Sequence, residues 1–333
     1  MSLHRRRPPQ VWTHDGDDAE RYGLAPNFGC CTANFNQGWP KLAQHSLFTA
    51  PPTADGKPAG VVVGVLAPLS ASLPSLGMAR ITVETAYPFD DDVHIVTSAA
   101  SVDVPVWVRV PGWAAGSGGS AQLILHHVHP QVEADAQVME TASAVGGRPR
   151  PRQTVRSLEG RNGTLVLLGV ARAGDPPLRA TLRLSPRLRF EQWSAGGYSV
   201  HRGPLMFSMP VAPNFTLVTH HWGTSAMSND YDVSNASSWQ YALVANASNP
   251  DATLTFTRLG GVGAAPFNRT GVPVAVRAIV RPLPSWSTTL NSASAPPPSP
   301  ACASAPSVCG HAEEVLLVPH GTSDLRIGMF PLA

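Results

Sequence analysis

The stretch VPVWVRVPGW (104–113) constrains the fold more than any other part of the chain. Val106, Val108 and Val110 alternate with Trp107 and Arg109. A period of two puts the valines on one face of an extended strand and the other residues on the opposite face. Similar runs recur at GVVVGVLAPL (60–69), ARITVETAYPF (79–89), DVHIVTSA (92–99), AQLILHHVHP (121–130), GTLVLLGVA (163–171) and ATLRLSPRLRF (180–190). YSVHRGPLMFSMPV (198–211) reads as a strand pair around a Gly-Pro break. YALVANA (241–247), ATLTFTRLG (252–260), VPVAVRAIVRPLPSW (272–286) and the two strands of EEVLLVPHGTSDLRIGMF (313–330) complete the series. Pro 33 and Gly 29 in 333 residues suit short strands joined by turns. A helical period is confined to residues 34–48, where Pro40 is tolerated in a first turn. The fold class is mainly β, β-sandwiches rather than α/β, with no internal repeat. The length suggests about two domains.

A net charge of +2 and 14% charged residues indicate neither nucleic acid nor an anionic membrane as partner. HRRRPP near the start reads as a solvated tail. No run of about 18 apolar residues exists, so no membrane span is expected. SAVGGRPRPRQ (143–153) reads as a basic loop, and TLNSASAPPPSPACASAPSVCGH (289–311) as a low-complexity linker.

Five Asn-X-Ser/Thr sequons, at Asn162, Asn214, Asn235, Asn246 and Asn268, take nearly half of the eleven asparagines. Sequons mark glycosylated surface loops of secreted proteins. The first residues, MSLHRRRPPQVWTHDGDD, carry basic groups with no apolar stretch after them, unlike a signal peptide. A secretory pattern without its signal leads to the expectation of a secreted or extracellular protein whose front lies upstream of this sequence.

Chemistry concentrates at NFGCCTANFNQGWPKLAQ (27–44), where Cys30 and Cys31 are adjacent. Neighbouring Cα atoms lie about 3.8 Å apart, short of the roughly 4.4–6.8 Å that ordinary disulfides need. Inert buried thiols, a strained redox pair and two thiolates on one soft metal remain open. Zinc suits thiolates but wants three or four protein ligands. His14, Asp15, Glu20 and His45 lie nearby without a recognised ligand spacing. Cys302 and Cys309 sit in the Pro/Ser linker, where a loop-closing disulfide in an oxidising compartment is favoured over free thiols. His126, His127 and His129 in HHVHP read as an edge strand or solvated surface, since neighbouring strand positions face opposite ways. His220 and His221 read the same way. Trp39, Trp107, Trp113, Trp193, Trp222, Trp239 and Trp286 are expected mostly in packing, although tryptophan also stacks on sugars. Ser-His-Asp order, a phosphate-cradling loop and a dinucleotide fingerprint do not appear.

YGLAPNFGCCTANFNQGWPKLA (22–43) resembles the cysteine-pair segment of glycoside hydrolase family 127, the β-L-arabinofuranosidase-like proteins. The resemblance continues in order through TVETAYPFDDDVHI (82–95), VWVRVPGWA (106–114), FEQWSAGGYSVHRGPLMFS (190–208), SSWQYALV (237–244) and EEVLLVPHGTSDLRIGMFP (313–331). It runs from about Tyr22 to Pro331, with 114–160 and 288–311 looking like insertions. Such a resemblance implies an (α/α)6 barrel followed by two β-sandwich domains. In this chain it implies a C-terminal remnant of the barrel at 1–48. It implies a first sandwich from 49–212 plus 313–333, and a second from 213–312 with a Pro/Ser-rich insertion at about 288–311.

The resemblance also implies a chemistry. Cys30 matches the nucleophile, itself a zinc ligand, and Cys31 matches its neighbouring ligand in a site of three cysteines and one glutamate. Zinc holds a thiol as thiolate at neutral pH, and a thiolate attacks an anomeric carbon well. A retaining glycosidase also needs an acid/base carboxyl about 5 Å away. The remaining ligands and that carboxyl lie upstream of the cysteine pair in the family pattern. Here only 29 residues precede Cys30, with no cysteine and a single glutamate, Glu20. The zinc site is therefore incomplete within this sequence. Two classes of function follow. One is the C-terminal portion of a retaining glycosidase acting on β-L-arabinofuranosides or related plant or algal glycans, inactive by itself. The other is a non-catalytic β-sandwich module for domain packing or glycan binding.

Overall fold

The computed structural model describes residues 22, 33–50, 60–126, 153–220, 229–289, 292–302 and 308–333. Among them the chain is mainly β. Its contacts divide it into two compact units, Trp39–Arg187 and Leu188–Ala333, the latter joined by Tyr22 and residues 33–38.

In the first unit the alternation read from the sequence becomes a two-sheet sandwich. Strands β1 (Leu47–Thr49), β2 (Val61–Val63), β6 (Val104–Arg109) and β9 (Leu165–Ala171) form one sheet in that order, with β2 and β6 parallel. The second sheet runs β3 (Leu69–Leu73), β4 (Ala79–Thr85), β5 (Asp92–Ser98), β10 (Leu178–Pro186), β7 (Gly119–His126) and β8 (Gln153–Ser157), all antiparallel. Val104, Val106, Val108 and Val110 are fully buried and share a core with Ile81, Ile95, Leu123 and Leu182. Non-directional burial of these side chains is what joins the two sheets. Gly119, at φ 134, opens β7 so close to β10 that a Cβ there would collide with the Ser185 carbonyl. Ahead of the sandwich, residues 33–35 make a helical turn and helix α1 spans Gly38–Gln44. Ser46 Oγ and His45 Nδ1 satisfy the Leu42 and Lys41 carbonyls at its end, each at 2.7 Å. No residue of α1 is buried.

The second unit is one long sheet: β11 (Leu188–Gln192), β12 (Tyr198–Arg202), β13 (Leu205–Val211), β21 (Glu313–Pro319), β18 (Val274–Pro282) and β16 (Tyr241–Leu243). β17 (Thr255–Arg258) also pairs with β18, and β22 (Leu325–Ile327) with β13. Gly203 takes φ 57 in the two-residue turn between β12 and β13, as such hairpins require. Phe207 on β13 meets Phe256 on β17 edge to face at 6.4 Å. Three strand spacings would hold them about 14 Å apart in a flat sheet, so this sheet curls over its own core. Trp239 and Trp286 meet edge to face at 5.2 Å inside it. A separate ribbon pairs β14 (Pro213–His220) with β15 (Asn229–Asn235), and a short one pairs β19 (Thr288–Thr289) with β20 (Ser292–Ala293).

The division of contacts differs from the boundary expected at residue 212. Residues 188–212 group with 213–333, and the returning strand β21 pairs with β13 and β18 inside that one unit. The cause is local. The stretch 180–190 stays extended throughout, but β10 up to Pro186 pairs with β7, whereas β11 from Leu188 pairs with β12. An extended chain can leave one sheet for another without any change in its pattern.

Candidate functional site

Cys30 and Cys31 lie outside the described residues, as do His14, Asp15, Glu20, His127, His129, His221 and Trp222. Tyr22, ahead of the cysteine pair, is held on the second unit. Its N–H donates to the Tyr231 carbonyl and its carbonyl accepts from the Tyr231 N–H, both at 2.9 Å. Its ring meets Phe215 edge-on at 5.3 Å, and Phe215 meets Tyr231 in the same way at 5.7 Å. Its hydroxyl donates to Asp324 Oδ1 at 2.8 Å, while Arg269 Nη2 binds Asp324 Oδ2 at 2.9 Å. Burial, then the hydrogen bond and charge of Asp324, hold the phenol above its ordinary range.

Two hydrogen-bonded histidines lie in the motif segments of this unit, His201 on β12 and His320 in the turn after β21. His320 Nε2 accepts from Arg326 Nε at 2.8 Å, so its proton sits on Nδ1 and is donated to Ser208 Oγ at 2.6 Å. Burial, followed by the Arg326 charge, lowers the His320 pKa. His201 Nε2 lies 2.8 Å from Ser199 Oγ and 3.4 Å from Glu191 Oε2. The carboxylate can only accept, so Nε2 carries the proton. Ser199 Oγ also accepts from Trp193 Nε1 at 2.8 Å. Burial, then Arg189, lowers the His201 pKa, opposed by Glu191. With the imidazole neutral at neutral pH, its contact with Glu191 is not an ion pair. Ser199 is fully buried, and Ser199 and Glu191 share one ring nitrogen of His201. That arrangement leaves no relay for a nucleophile. The His201 cluster lies within residues 191–201, whereas the His320 cluster was not legible in the sequence because Ser208 and His320 are 112 residues apart.

The histidine run resolves at its first member. Gln153 Nε2 donates to His126 Nδ1 at 3.1 Å, so His126 Nε2 donates to Thr181 Oγ1 at 2.9 Å. The Thr181 hydroxyl then donates to His94 Nδ1 at 2.9 Å. Among the described residues no group of three or more His, Cys, Asp or Glu is placed to hold a metal. Two thiolates alone make half of a four-donor zinc site.

Cys302 and Cys309 are joined by a disulfide, with Cα atoms 5.7 Å apart. All five sequon asparagines are exposed. Of the tryptophans, Trp239 and Trp286 are buried, Trp113 Nε1 donates to the Tyr87 hydroxyl at 3.4 Å, and Trp39 is 78% exposed. Trp107 belongs to a cross-strand row, Phe48–Val62–Trp107–Leu167, on the outer face of the four-stranded sheet. Phe35 and Leu42 are exposed with Trp39, four and three residues away from it.

No family model matches the sequence, and no curated protein matches it. Among solved structures the chain is similar to a glycoside hydrolase, at TM-score 0.48 and 13% identity over 92% of this chain and 40% of the other. It is similar to a family 127 β-L-arabinofuranosidase from Geobacillus stearothermophilus T6, at TM-score 0.42 and 13% identity over 90% and 36%. It is also similar to a family 127 β-arabinofuranosidase, at TM-score 0.45 and 11% identity over 94% and 40%. The chain spans about two fifths of the length of these structures.

Proposed function

We propose that this chain is the β-rich, C-terminal portion of a retaining glycoside hydrolase whose nucleophile is the Cys30 thiolate. The observation that carries this reading is the ordered run of motifs from YGLAPNFGCCTAN to the terminal EEVLLVPHGTSDLRIGMFP. One such motif is weak evidence, but several in one order are specific. Zinc held by Cys30, Cys31 and two ligands from an upstream barrel would keep the thiols ionised at neutral pH. The Cys30 sulfur would form a bond to the anomeric carbon as the glycosidic C–O bond breaks. The departing oxygen needs a proton from an acid placed beside it. No glutamate of this chain matches that role, so the chain alone is inactive. The substrate class is β-L-arabinofuranosides or related plant or algal glycans, and the compartment is extracellular, in keeping with five exposed sequons and one disulfide.

A second reading, a non-catalytic module that packs on a partner domain or binds glycan, is favoured by the bare apolar residues Phe35, Trp39 and Leu42 and by the exposed ends of the Phe48–Leu167 row. Turnover of a nitrophenyl β-L-arabinofuranoside separates the two. The glycosidase reading expects none from residues 1–333. It expects turnover with retained anomeric configuration once a helical barrel carrying a Glu/Cys ligand pair is joined upstream. Inversion, or no turnover by the joined protein, contradicts it.

A further inference from the structure

We propose that a pocket of about 310 Å³ in the second unit binds a small organic monocarboxylate, an ionised acid on an apolar ring or short acyl body. The pocket lies wholly within Leu188–Ala333 and depends on neither functional reading above. Its walls are apolar. Pro210 and Val211 come from the end of β13, Val272 from the stretch before β18, and Val318 from β21. The volume stands at the lower end of the range for ligand pockets, which suits a body of one ring. A bare monosaccharide suits these walls badly, because its hydroxyls would lose water against valine and proline without gaining partners.

The polar lining selects the head group. Thr322 Oγ1 donates to the Pro319 carbonyl at 2.8 Å and Ser323 Oγ to the Leu325 carbonyl at 3.0 Å, so those two protons are committed. Ser237 Oγ accepts the Ala212 N–H at 2.9 Å, and its own proton has no acceptor among the described residues. Arg269 gives one of its five N–H donors to Asp324 Oδ2 at 2.9 Å. Asp324 has its other oxygen engaged by the Tyr22 hydroxyl, so the guanidinium is held in place with donors left over. What the lining offers a ligand is therefore protons, and an ionised carboxylate is a head that only accepts. Charge agrees with this. Arg326 stands opposite Pro210 in the β13–β22 register, so Arg269 and Arg326 flank Asp324, two positive charges to one negative. Arg326 itself is turned to His320 Nε2 and the Ser323 carbonyl, which leaves the contact to Arg269. The planar fork of a guanidinium matches a carboxylate better than it matches a neutral amide.

The test uses the intact, oxidised chain with methyl-labelled valine and sodium benzoate as the probe. Titration should shift the methyl signals of Val211, Val272 and Val318 and saturate with a Kd of about 1 mM. Benzamide, which has the same body without the charge, should bind at least about tenfold more weakly. Arg269→Gln should weaken benzoate by about the same factor and leave benzamide unchanged, a contrast that general unfolding does not give. Should Arg269→Gln fail to fold, benzoate against benzamide on the wild-type chain decides the charge preference by itself. Ala212→Trp, at an exposed position of the lining, should block both ligands at a wild-type melting midpoint. Absence of methyl shifts up to about 20 mM benzoate overturns the proposal. So does benzamide binding as tightly as benzoate, equal benzoate affinity in Arg269→Gln, or benzoate binding that survives Ala212→Trp. Inorganic phosphate that reproduces the valine shifts overturns it too, since a bare anion has no apolar body to seat.

Discussion

Removing the Cys302–Cys309 disulfide should cost the second unit a calculable amount. The bridge joins residues seven apart and so closes a loop of eight. Chain-entropy reasoning assigns a loop of that size about 8.3 cal/mol/K, or about 2.5 kcal/mol at room temperature. What the bridge braces is visible around it. Ala301 N–H donates to the Leu332 carbonyl at 2.7 Å, Leu332 N–H to Ser299 Oγ at 2.7 Å, and Gly310 N–H to the Pro282 carbonyl at 2.9 Å. The staple therefore holds the C-terminus and the end of β18 in place. With unfolding entropy of about 2.1 cal/mol/K per residue over the 146 residues from Leu188 to Ala333, 2.5 kcal/mol lowers the midpoint by about 8 °C. Near-UV circular dichroism follows this unit through the buried, edge-to-face Trp239 and Trp286. The variant Cys302→Ser/Cys309→Ser should melt about 8 °C below wild type. Reductant should bring wild type down to the same midpoint and leave the variant unmoved. A variant within about 2 °C of wild type, or one equally sensitive to reductant, refutes the reasoning.

Other expectations follow from burial and from the histidines. Leu182→Ala, in the centre of the six-stranded sheet with no exposed surface, should cost about 3 kcal/mol in denaturant unfolding, whereas exposed Leu165→Ala should stay within about 0.5 kcal/mol. His320 and His201 are both held below the ordinary histidine range, so the native state favours their neutral forms. The stability they supply is complete above an unfolded pKa near about 6.5 and is lost as pH falls below it. Melting midpoints should therefore drop between about pH 7.5 and 5, and His320→Gln, which can still accept from Arg326 and donate to Ser208, should flatten part of that drop. An unchanged slope in His320→Gln would remove His320 from the account.

Strand positions were legible wherever one face is buried and the other wet. β6 shows it best, with Val104, Val106 and Val108 inside and Pro105, Trp107 and Arg109 outside. β8 escaped because QTVRS is an edge strand with no fully buried residue. The β14–β15 ribbon escaped because residues 214–218 are exposed on both faces, which leaves no alternation to read. The boundary at Arg187 escaped because Pro186 interrupts the hydrogen bonding without breaking the extended run. The resemblance motifs singled out the segments that hold His201, Ser208, His320 and Arg326. Which of these atoms meet is a matter of tertiary register between β13 and the turn after β21, and spacing in sequence carries no trace of it. Tyr22 was legible only as the start of a motif, because its partners lie some two to three hundred residues away.

The central claim, that Cys30 attacks the sugar and Cys31 holds metal, is tested most directly by turnover and bound zinc measured side by side. The measurement uses the barrel-bearing protein with Cys30→Ala and Cys31→Ala. The account predicts that Cys30→Ala abolishes turnover, and that Cys31→Ala loses rate in proportion to lost zinc. Wild-type turnover in Cys30→Ala would contradict it outright, whatever becomes of the fold.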